Sequence, residues 1–153
     1  PTEPDIMYDL AMACEKLKQF DRMESLLRRV MELNPDDPNA YNALGYSLAD
    51  RNLRLDEART LLEKALALRP ADPFITDSLA WLEYRSGKTE DAIKLLRQAL
   101  AARTDAEIAA HLGEILWVTG QQDEARKIFK EALDREPHSD AIKSTLTRLR
   151  ITL

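Results

Sequence analysis

Two histidines and a single cysteine are the residues of this chain best suited to catalysis or metal binding. His111 and His138 have no cysteine or second histidine nearby at metal-ligand spacing. Cys14 occupies an apolar place that is filled by leucine later in the chain, which favours a buried thiol over a nucleophile. We therefore expect no catalytic residue, no metal site and no cofactor, and interpret both histidines as surface or interface side chains.

Acidic residues also occur in pairs, an arrangement that can serve general acid–base chemistry. The pairs are Asp56-Glu57, Glu90-Asp91 and Asp123-Glu124. Each pair lies at the start of a predicted helix, where carboxylates interact favourably with the positive end of the helix dipole. Their position explains these pairs without a catalytic role.

Charge and hydropathy exclude further classes of function. A net charge of −5 over 153 residues argues against general binding to a phosphate backbone, so we expect no nucleic-acid partner. No apolar run approaches the roughly 20 residues that cross a bilayer, so we expect no direct membrane insertion. The chain starts at Pro1 without a methionine, and no cap precedes the first repeat, so we expect it to be a piece of a longer protein.

Small residues recur at fixed spacing and predict helical hairpins. Gly113, Ala125 and Ala132 mark where two helices approach closely, because only small side chains permit such a crossing. Gly120 supplies the left-handed residue between the helices, and Pro137 ends the second one. Sites equivalent to Gly113 follow one another at spacings of 34, 35 and 33 residues: Ala11, Gly45, Ala80 and Gly113.

This period organises the whole chain. The predicted helices are 5–17, 21–33, 38–51, 56–69, 74–86, 90–102, 106–119, 122–135 and 140–151. They form repeats 4–37 (the most degraded), 38–72 (one residue inserted), 73–105 (no closing proline) and 106–139, with 140–153 as a capping helix. Asp37, Asp72 and Asp105 are predicted N-caps, and Asn52 is predicted to take the left-handed turn. Thr104 stands where a closing proline is expected, so the link there should be short.

The pattern resembles the tetratricopeptide repeat family along essentially the whole chain. The residues that carry the resemblance are Tyr41, Leu44, Gly45, Ala58, Ala65 and Pro70, then Leu112, Gly113, Gly120, Ala125, Phe129, Ala132 and Pro137. The resemblance implies an all-α fold, a right-handed superhelix of four helix-turn-helix repeats plus a C-terminal capping helix. It also implies an interaction scaffold, with the first helix of each repeat lining a concave groove.

A narrower likeness lies in the segments 40–51, 72–81 and 107–114. They resemble the carboxy-terminal repeats of large proteobacterial tetratricopeptide proteins, including outer-membrane lipoproteins that recruit a carboxy-terminal processing protease. This resemblance implies a periplasmic location, with the cytoplasm as the alternative.

The resemblance places one face of each first helix in the groove, and helical spacing identifies its residues. They are Asp5, Tyr8, Met12 and Glu15; Asn39, Asn42, Tyr46 and Ala49; Phe74, Asp77, Trp81 and Tyr84; and Glu107, Ala110, Glu114 and Trp117. From these we select as partner-binding candidates Tyr8, Met12, Asn39, Asn42, Tyr46, Phe74, Asp77, Trp81, Tyr84, Glu114 and Trp117. Aromatic rings often dominate binding sites, and the asparagines offer donors and acceptors to the main chain of a peptide.

Packing provides an alternative explanation for several of these rings. Packing against the neighbouring hairpin explains Trp81 and Trp117 as well as contact with a ligand does. Phe74, next to Pro73, is explained by packing at the junction between hairpins. Tyr46 and Tyr84 are the better groove candidates, because a hydroxyl requires water or a polar partner.

One ligand class of the family can be tested on the sequence. Relatives that clamp a carboxylate at a protein's carboxy terminus use lysine, arginine and asparagine at fixed places. Those places hold Tyr8, Met12, Ala43, Phe74 and Ser78 here, or Asn42, Tyr46, Ser78, Glu107 and His111 in the next register. Neither register forms the clamp, so recognition is expected to use apolar and amide contacts.

The sequence thus predicts a non-catalytic scaffold that binds a peptide or protein in its groove. Two alternatives stay open: a self-association module that stacks through its first hairpin, making a homo-oligomer, and an accessory segment of a larger catalytic or lipoprotein chain. The sequence does not choose between an extended peptide and a helix as the ligand.

Overall fold

The computed structural model describes residues 2–153, which form nine α-helices and no strand. The helices are α1 Glu3–Lys16, α2 Phe20–Leu33, α3 Pro38–Asp50, α4 Leu55–Leu68, α5 Pro73–Arg85, α6 Thr89–Ala102, α7 Ala106–Val118, α8 Gln122–Arg135 and α9 Asp140–Leu149. No bound differs from its predicted position by more than two residues. The predicted all-α helical repeat fold is confirmed.

The chain divides into two compact units, one ending at Ala71 and the other running from Asp72 to Leu153. In the first unit, α1 packs on α2, α3 packs on α4, and α2 contacts α3. In the second unit, α5 packs on α6 and α7 packs on α8, while α7 also contacts α5, α6 and α9. Antiparallel helix pairs are therefore the building block of both units.

Side-chain caps fix where the first helix of each hairpin begins. Asp37, Asp72 and Asp105 each accept hydrogen bonds from backbone N–H groups of the first turn, as predicted. Thr2 forms a capping box with Asp5, so α1 begins at Glu3 rather than at the predicted residue 5. The second helices have no side-chain cap, but α4, α6 and α8 carry the acidic pairs in their first turns.

The turn inside each hairpin has a left-handed residue seven places after Gly113 or its equivalent in the other repeats. These residues are Lys18, Asn52, Gly87 and Gly120, with φ angles of 57°, 56°, 88° and 91°. The predictions for Asn52 and Gly120 are confirmed. The inserted residue of the second repeat brings a second left-handed residue, Arg54 with φ 44°, just before α4.

Close helix crossing occurs where the small residues predict it. A Cβ atom on Gly113 would lie 2.5 Å from two ring atoms of Phe129, and a Cβ on Gly45 would lie 2.7 Å from Cγ of Leu62. Phe129 and Leu62 are fully buried, so each fills the space that its glycine leaves. The link between α6 and α7 is residues 103–105, shorter than residues 34–37 between α2 and α3, as the missing proline predicts.

Helix α9 covers the last hairpin, as predicted for a cap. Ile142 is fully buried, and Ile151 folds back so that its N–H donates to the carbonyl of Leu146 at 2.9 Å. Cys14 is 2% exposed, which confirms its prediction as a buried thiol. The described residues contain no helix that is long and apolar enough to cross a membrane.

Candidate functional site

In the second unit, residues on one side of α5 and α7, together with Arg148 of α9, form a set of partly exposed and buried side chains that we call the α5–α7–α9 face. It consists of Phe74, Asp77, Trp81, Tyr84, Glu107, Ala110, Glu114, Trp117 and Arg148. Helical spacing places its α5 and α7 members on one side of each helix, and polar contacts join α5 to α7 and α7 to α9. The face therefore brings together six of the predicted partner-binding residues.

A largely buried hydrogen bond joins α5 to α7. The Nδ1–H of His111 donates to Oδ1 of Asp77 over 2.7 Å, since a carboxylate only accepts. The ring of Trp81 stacks on His111 with centroids 4.3 Å apart and also lies 5.2 Å from the ring of Tyr84. Trp81 is 4% exposed, which favours the packing explanation for this ring over a direct ligand contact.

A second polar contact joins α7 to α9. Glu114 is 7% exposed and accepts hydrogen bonds from both terminal nitrogens of Arg148, one of them 3.2 Å from Nη1 to Oε2. The side chain of Arg148 is 57% exposed, so this pair reaches from the interior to the surface. Burial raises the pKa of the half-buried Tyr84, and the charge of Glu114 raises it further. The Tyr84 hydroxyl thus stays neutral beside this pair.

Two further rings of the face remain accessible, and each lies under an arginine. Phe74 is 39% exposed, and the guanidinium of Arg103 lies 5.9 Å from its ring centroid. Trp117 is partly exposed, and the guanidinium of Arg126 lies 4.8 Å from its centroid. Phe74, Tyr84 and Trp117 therefore offer apolar contact area at the edges of the paired polar residues.

Glu107 differs from the other carboxylates of the face. Its side chain is exposed and makes no hydrogen bond or ion pair with the residues that the structure describes. Partial loss of surrounding water raises the pKa of Glu107, and the negative charges of Asp105 and Asp77 raise it further. Only His111 acts in the opposite direction.

The first unit carries the other predicted residues on α1 and α3. Tyr8, Met12, Asn42 and Tyr46 are partly exposed, and Asn39 is exposed. The amide oxygen of Asn39 accepts from Nη1 of Arg69 at 3.3 Å, whereas Oδ1 of Asn42 is buried and has no donor among the described residues. Burial raises the pKa of Tyr8, with a contribution from Asp37.

Three features of the face did not follow from the sequence reasoning. His111 was predicted only as a surface or interface residue, and its bond to Asp77 was not foreseen. Arg148 was not selected as a site residue, so its contact with Glu114 was not foreseen, and Glu107 was placed on the groove face but not selected. A signal for the pairs existed, because each joins residues 34 positions apart, which is one repeat.

Comparison with known families agrees with the repeat pattern. Two family profiles, both described as Tetratricopeptide repeat, match residues 4–47 and 78–140. Together they cover more than half of the chain.

Curated relatives of this chain are longer proteins. The TPR repeat-containing protein PA4667 of Pseudomonas aeruginosa is 49% identical over 114 residues, which is 74% of this chain and 19% of that protein. Anaphase-promoting complex subunit 7 of Mus musculus is 39% identical over 83 residues, 54% of this chain and 15% of the relative. The chain thus spans a fifth or less of the length of either relative.

Solved structures share the fold at low sequence identity. TTC0263, a thermophilic TPR protein of Thermus thermophilus, has a TM-score of 0.85 at 23% identity, covering 99% of this chain and 84% of that one. Pseudomonas aeruginosa pilF has a TM-score of 0.74 at 18% identity, with coverages of 96% and 69%. At these identities the likeness concerns the fold alone.

Proposed function

Since the chain belongs to the tetratricopeptide repeat family, we propose that it is a non-catalytic scaffold that binds a peptide or protein partner on its first helices. Repeats of this family are in general protein-interaction scaffolds. The observation that supports a site in the second unit is the composition of the α5–α7–α9 face, where accessible rings surround polar residues that are already paired.

Pairing of its polar residues preorganises the face for binding. The Asp77–His111 and Glu114–Arg148 contacts hold neighbouring helices at fixed positions, so a ligand does not have to order them. Tyr84 and Trp117 each lose few side-chain rotamers on binding, which is why such rings contribute strongly to affinity. A partner would be held by contact with these rings and by polar contacts at the rim.

A capture experiment with single variants tests this proposal. Extract from the cells that supply the chain is passed over the immobilised wild-type chain and over the variants Tyr84→Ala, Trp117→Ala and Tyr46→Ala. We expect loss of Tyr84 or Trp117 to weaken capture of the specific partner by about tenfold. Tyr46→Ala reports separately on the first unit.

Val118→Ala is the matched control, because Val118 is 48% exposed and follows Trp117 on the same helix but lies off the face. Thermal melting must show that all variants remain helical and equally folded. A partner captured equally by the wild type and by every ring variant would rule out the proposed site.

A second candidate function is self-association, and the exposed apolar stripe on α1 favours it. Ile6, Leu10 and Leu17 are 57%, 39% and 68% exposed. Leu44 and Leu112, which are equivalent to Leu10 in later repeats, are 0% and 1% exposed, whereas the third equivalent, Leu79, is partly exposed. The equivalents of Ile6 are all buried: Ala40, Ile75 and Ile108. Ile6 and Leu10 thus occupy places that are mostly covered in later repeats, whereas Leu17, just after α1, has the polar counterparts Arg51, Ser86 and Thr119. A second copy of the chain would cover Ile6 and Leu10.

Light scattering over a range of protein concentrations tests this candidate. We expect the wild type to form dimers and Ile6→Glu/Leu10→Glu to remain monomeric. The control Leu53→Glu alters an exposed leucine in the α3–α4 turn and should dimerise like the wild type. A wild type that stays monomeric at every concentration would contradict self-association.

A further inference from the structure

The charges of the α5–α7–α9 face are unevenly compensated. Two of its carboxylates accept hydrogen bonds: Asp77 from His111, and Glu114 from Arg148. Glu107 has none among the described residues, and Asp105, Asp77 and Glu136 all add negative potential at its carboxylate. One end of the face therefore carries an exposed carboxylate that has no ion-pair partner among the described residues, and of the neighbouring charges only His111 offsets it in part.

An accessible aromatic ring occupies the equivalent place on the neighbouring helix. Phe74 lies six residues before Ala80, and Glu107 lies six residues before Gly113, so the two are at the same level of α5 and α7. Helices α5 and α7 are in contact, and both side chains are exposed. The guanidinium of Arg103 already lies 5.9 Å from the centroid of the Phe74 ring, yet the ring is still 39% exposed. A ring and a carboxylate at equivalent places on contacting helices suit a long basic side chain, whose methylenes pack on the open part of the ring while its charged head meets Glu107.

A free metal ion is a poorer fit to this place. Within residues 2–153, no three histidine, cysteine or acidic side chains come close enough together to hold a metal ion. The charge of Glu107 is accessible from outside, and its neighbours Asp77 and Asp105 already accept hydrogen bonds from His111 and from the backbone of α7. A cation delivered on a flexible side chain fits better than one that requires several ligands.

We propose that the Phe74–Glu107 end of the α5–α7–α9 face receives a lysine or arginine side chain from the bound partner segment. The inference rests on the proposed function, because it names the chemistry of the segment that the same face binds. The rings of Tyr84 and Trp117 contact the apolar part of that segment, and Glu107 determines where its basic residue lies.

Selection from a display library of random twelve-residue peptides tests this inference on the whole 153-residue chain. We expect selected peptides to share a lysine or arginine at one position next to apolar residues. For a synthetic selected peptide, Glu107→Gln should weaken binding about three- to fivefold, the size of an exposed ion pair. The loss should shrink as salt is added, because exposed charges are screened.

Two controls isolate the ion pair. Glu131→Gln removes the same charge from an exposed place on α8 and should leave the affinity unchanged. Replacing the peptide's basic residue with glutamine should weaken binding to the wild type but not to the Glu107→Gln variant, as a double-mutant cycle requires.

The outcomes separate the two proposals. Peptides whose binding depends on Tyr84 but not on Glu107 would overturn the basic-residue inference and leave the binding face in place. Selection that yields no peptide dependent on Tyr84, Trp117 or Glu107 would overturn both. Enrichment of basic residues together with the Glu107 dependence supports both.

Discussion

Two glutamates of this chain, Glu24 and Glu107, have pKa values that are shifted in opposite directions. Glu24, on α2, accepts hydrogen bonds from Arg54 at 2.6 and 3.0 Å and from Arg28 at 2.7 and 3.1 Å. The bond from Arg54, helped by Arg28, lowers the pKa of Glu24 to about 2. Glu107, on α7, has no such partner among the described residues, and its pKa is raised by loss of water and by neighbouring carboxylates.

The difference separates charges that stabilise the fold from a charge that remains available to a ligand. Glu24 belongs to a cluster with Arg28, Arg54 and Glu57 that ties α2 to α4. Glu107 lies on a first helix, where loss of surrounding water and then neighbouring negative charges make its ionised form less favourable than in the unfolded chain. A residue that opposes folding is a reasonable place to look for function.

The largest effect is expected at the buried pair that supports the face. His111→Ala should lower the free energy of unfolding by about 2 kcal/mol, because Asp77 would be left buried without a donor. Urea denaturation at pH 7 measures it, with the exposed His138→Ala as control. In the double variant Asp77→Ala/His111→Ala the two losses should be clearly less than additive, and additive losses would contradict the bond.

A smaller loss is expected at the Glu24 cluster. Glu24→Gln should lower the free energy of unfolding by about 1 kcal/mol, since the arginines around it are half exposed and water screens them. Glu63→Gln, on the exposed side of α4, is the matched control and should change little. Equal stability of the two variants would show that Glu24 stabilises the fold no more than an exposed glutamate does.

Acid titration extends the same comparison. Because the folded-state pKa of Glu24 is lowered, the unfolded chain binds more protons at this site than the folded chain does. The stabilisation that Glu24 provides is therefore complete above about pH 4.5 and disappears as pH falls toward 2. The stability difference between the wild type and Glu24→Gln should shrink through that window, as followed by urea denaturation at successive pH values. A difference that stays constant down to pH 2 would contradict the lowered pKa.

The smallest effect, opposite in sign, is expected at Glu107. Because its pKa is raised, the folded chain binds more protons at this site, so the contribution of Glu107 to stability should fall as pH rises through the window above about 4.5. Glu107→Gln lacks this loss and should be slightly more stable than the wild type at pH 7. The same denaturation series measures the difference, and a destabilised variant would place Glu107 among the structural charges.

Helix bounds and turns were predictable because each depends on a few neighbouring residues. Asp72 before Pro73 begins a helix by local hydrogen bonding, and Gly120 permits a left-handed turn whatever surrounds it. Gly113 likewise indicated a close crossing. Glycine destabilises a helix interior, so its presence there indicates a place where a side chain would not fit.

The polar contacts of the candidate site depend on side-chain geometry, which spacing alone does not determine. Asp77 and His111 stand one repeat apart, as do Glu114 and Arg148, so aligning the repeats could have identified both pairs as neighbours. Whether they bond depends on side-chain rotamers and on the burial that Trp81 provides. The choice of Arg54 and Arg28 as partners of Glu24 likewise follows from three-dimensional placement.

The match between Gly113 and Phe129 restricts how these repeats can be recombined by engineering. A methyl group at position 113 would overlap the Phe129 ring. A helix that has alanine at the place equivalent to Gly113, such as α5 with Ala80, therefore cannot replace α7 alone. Module boundaries for shuffling therefore lie between hairpins, and α7 must be transplanted together with α8.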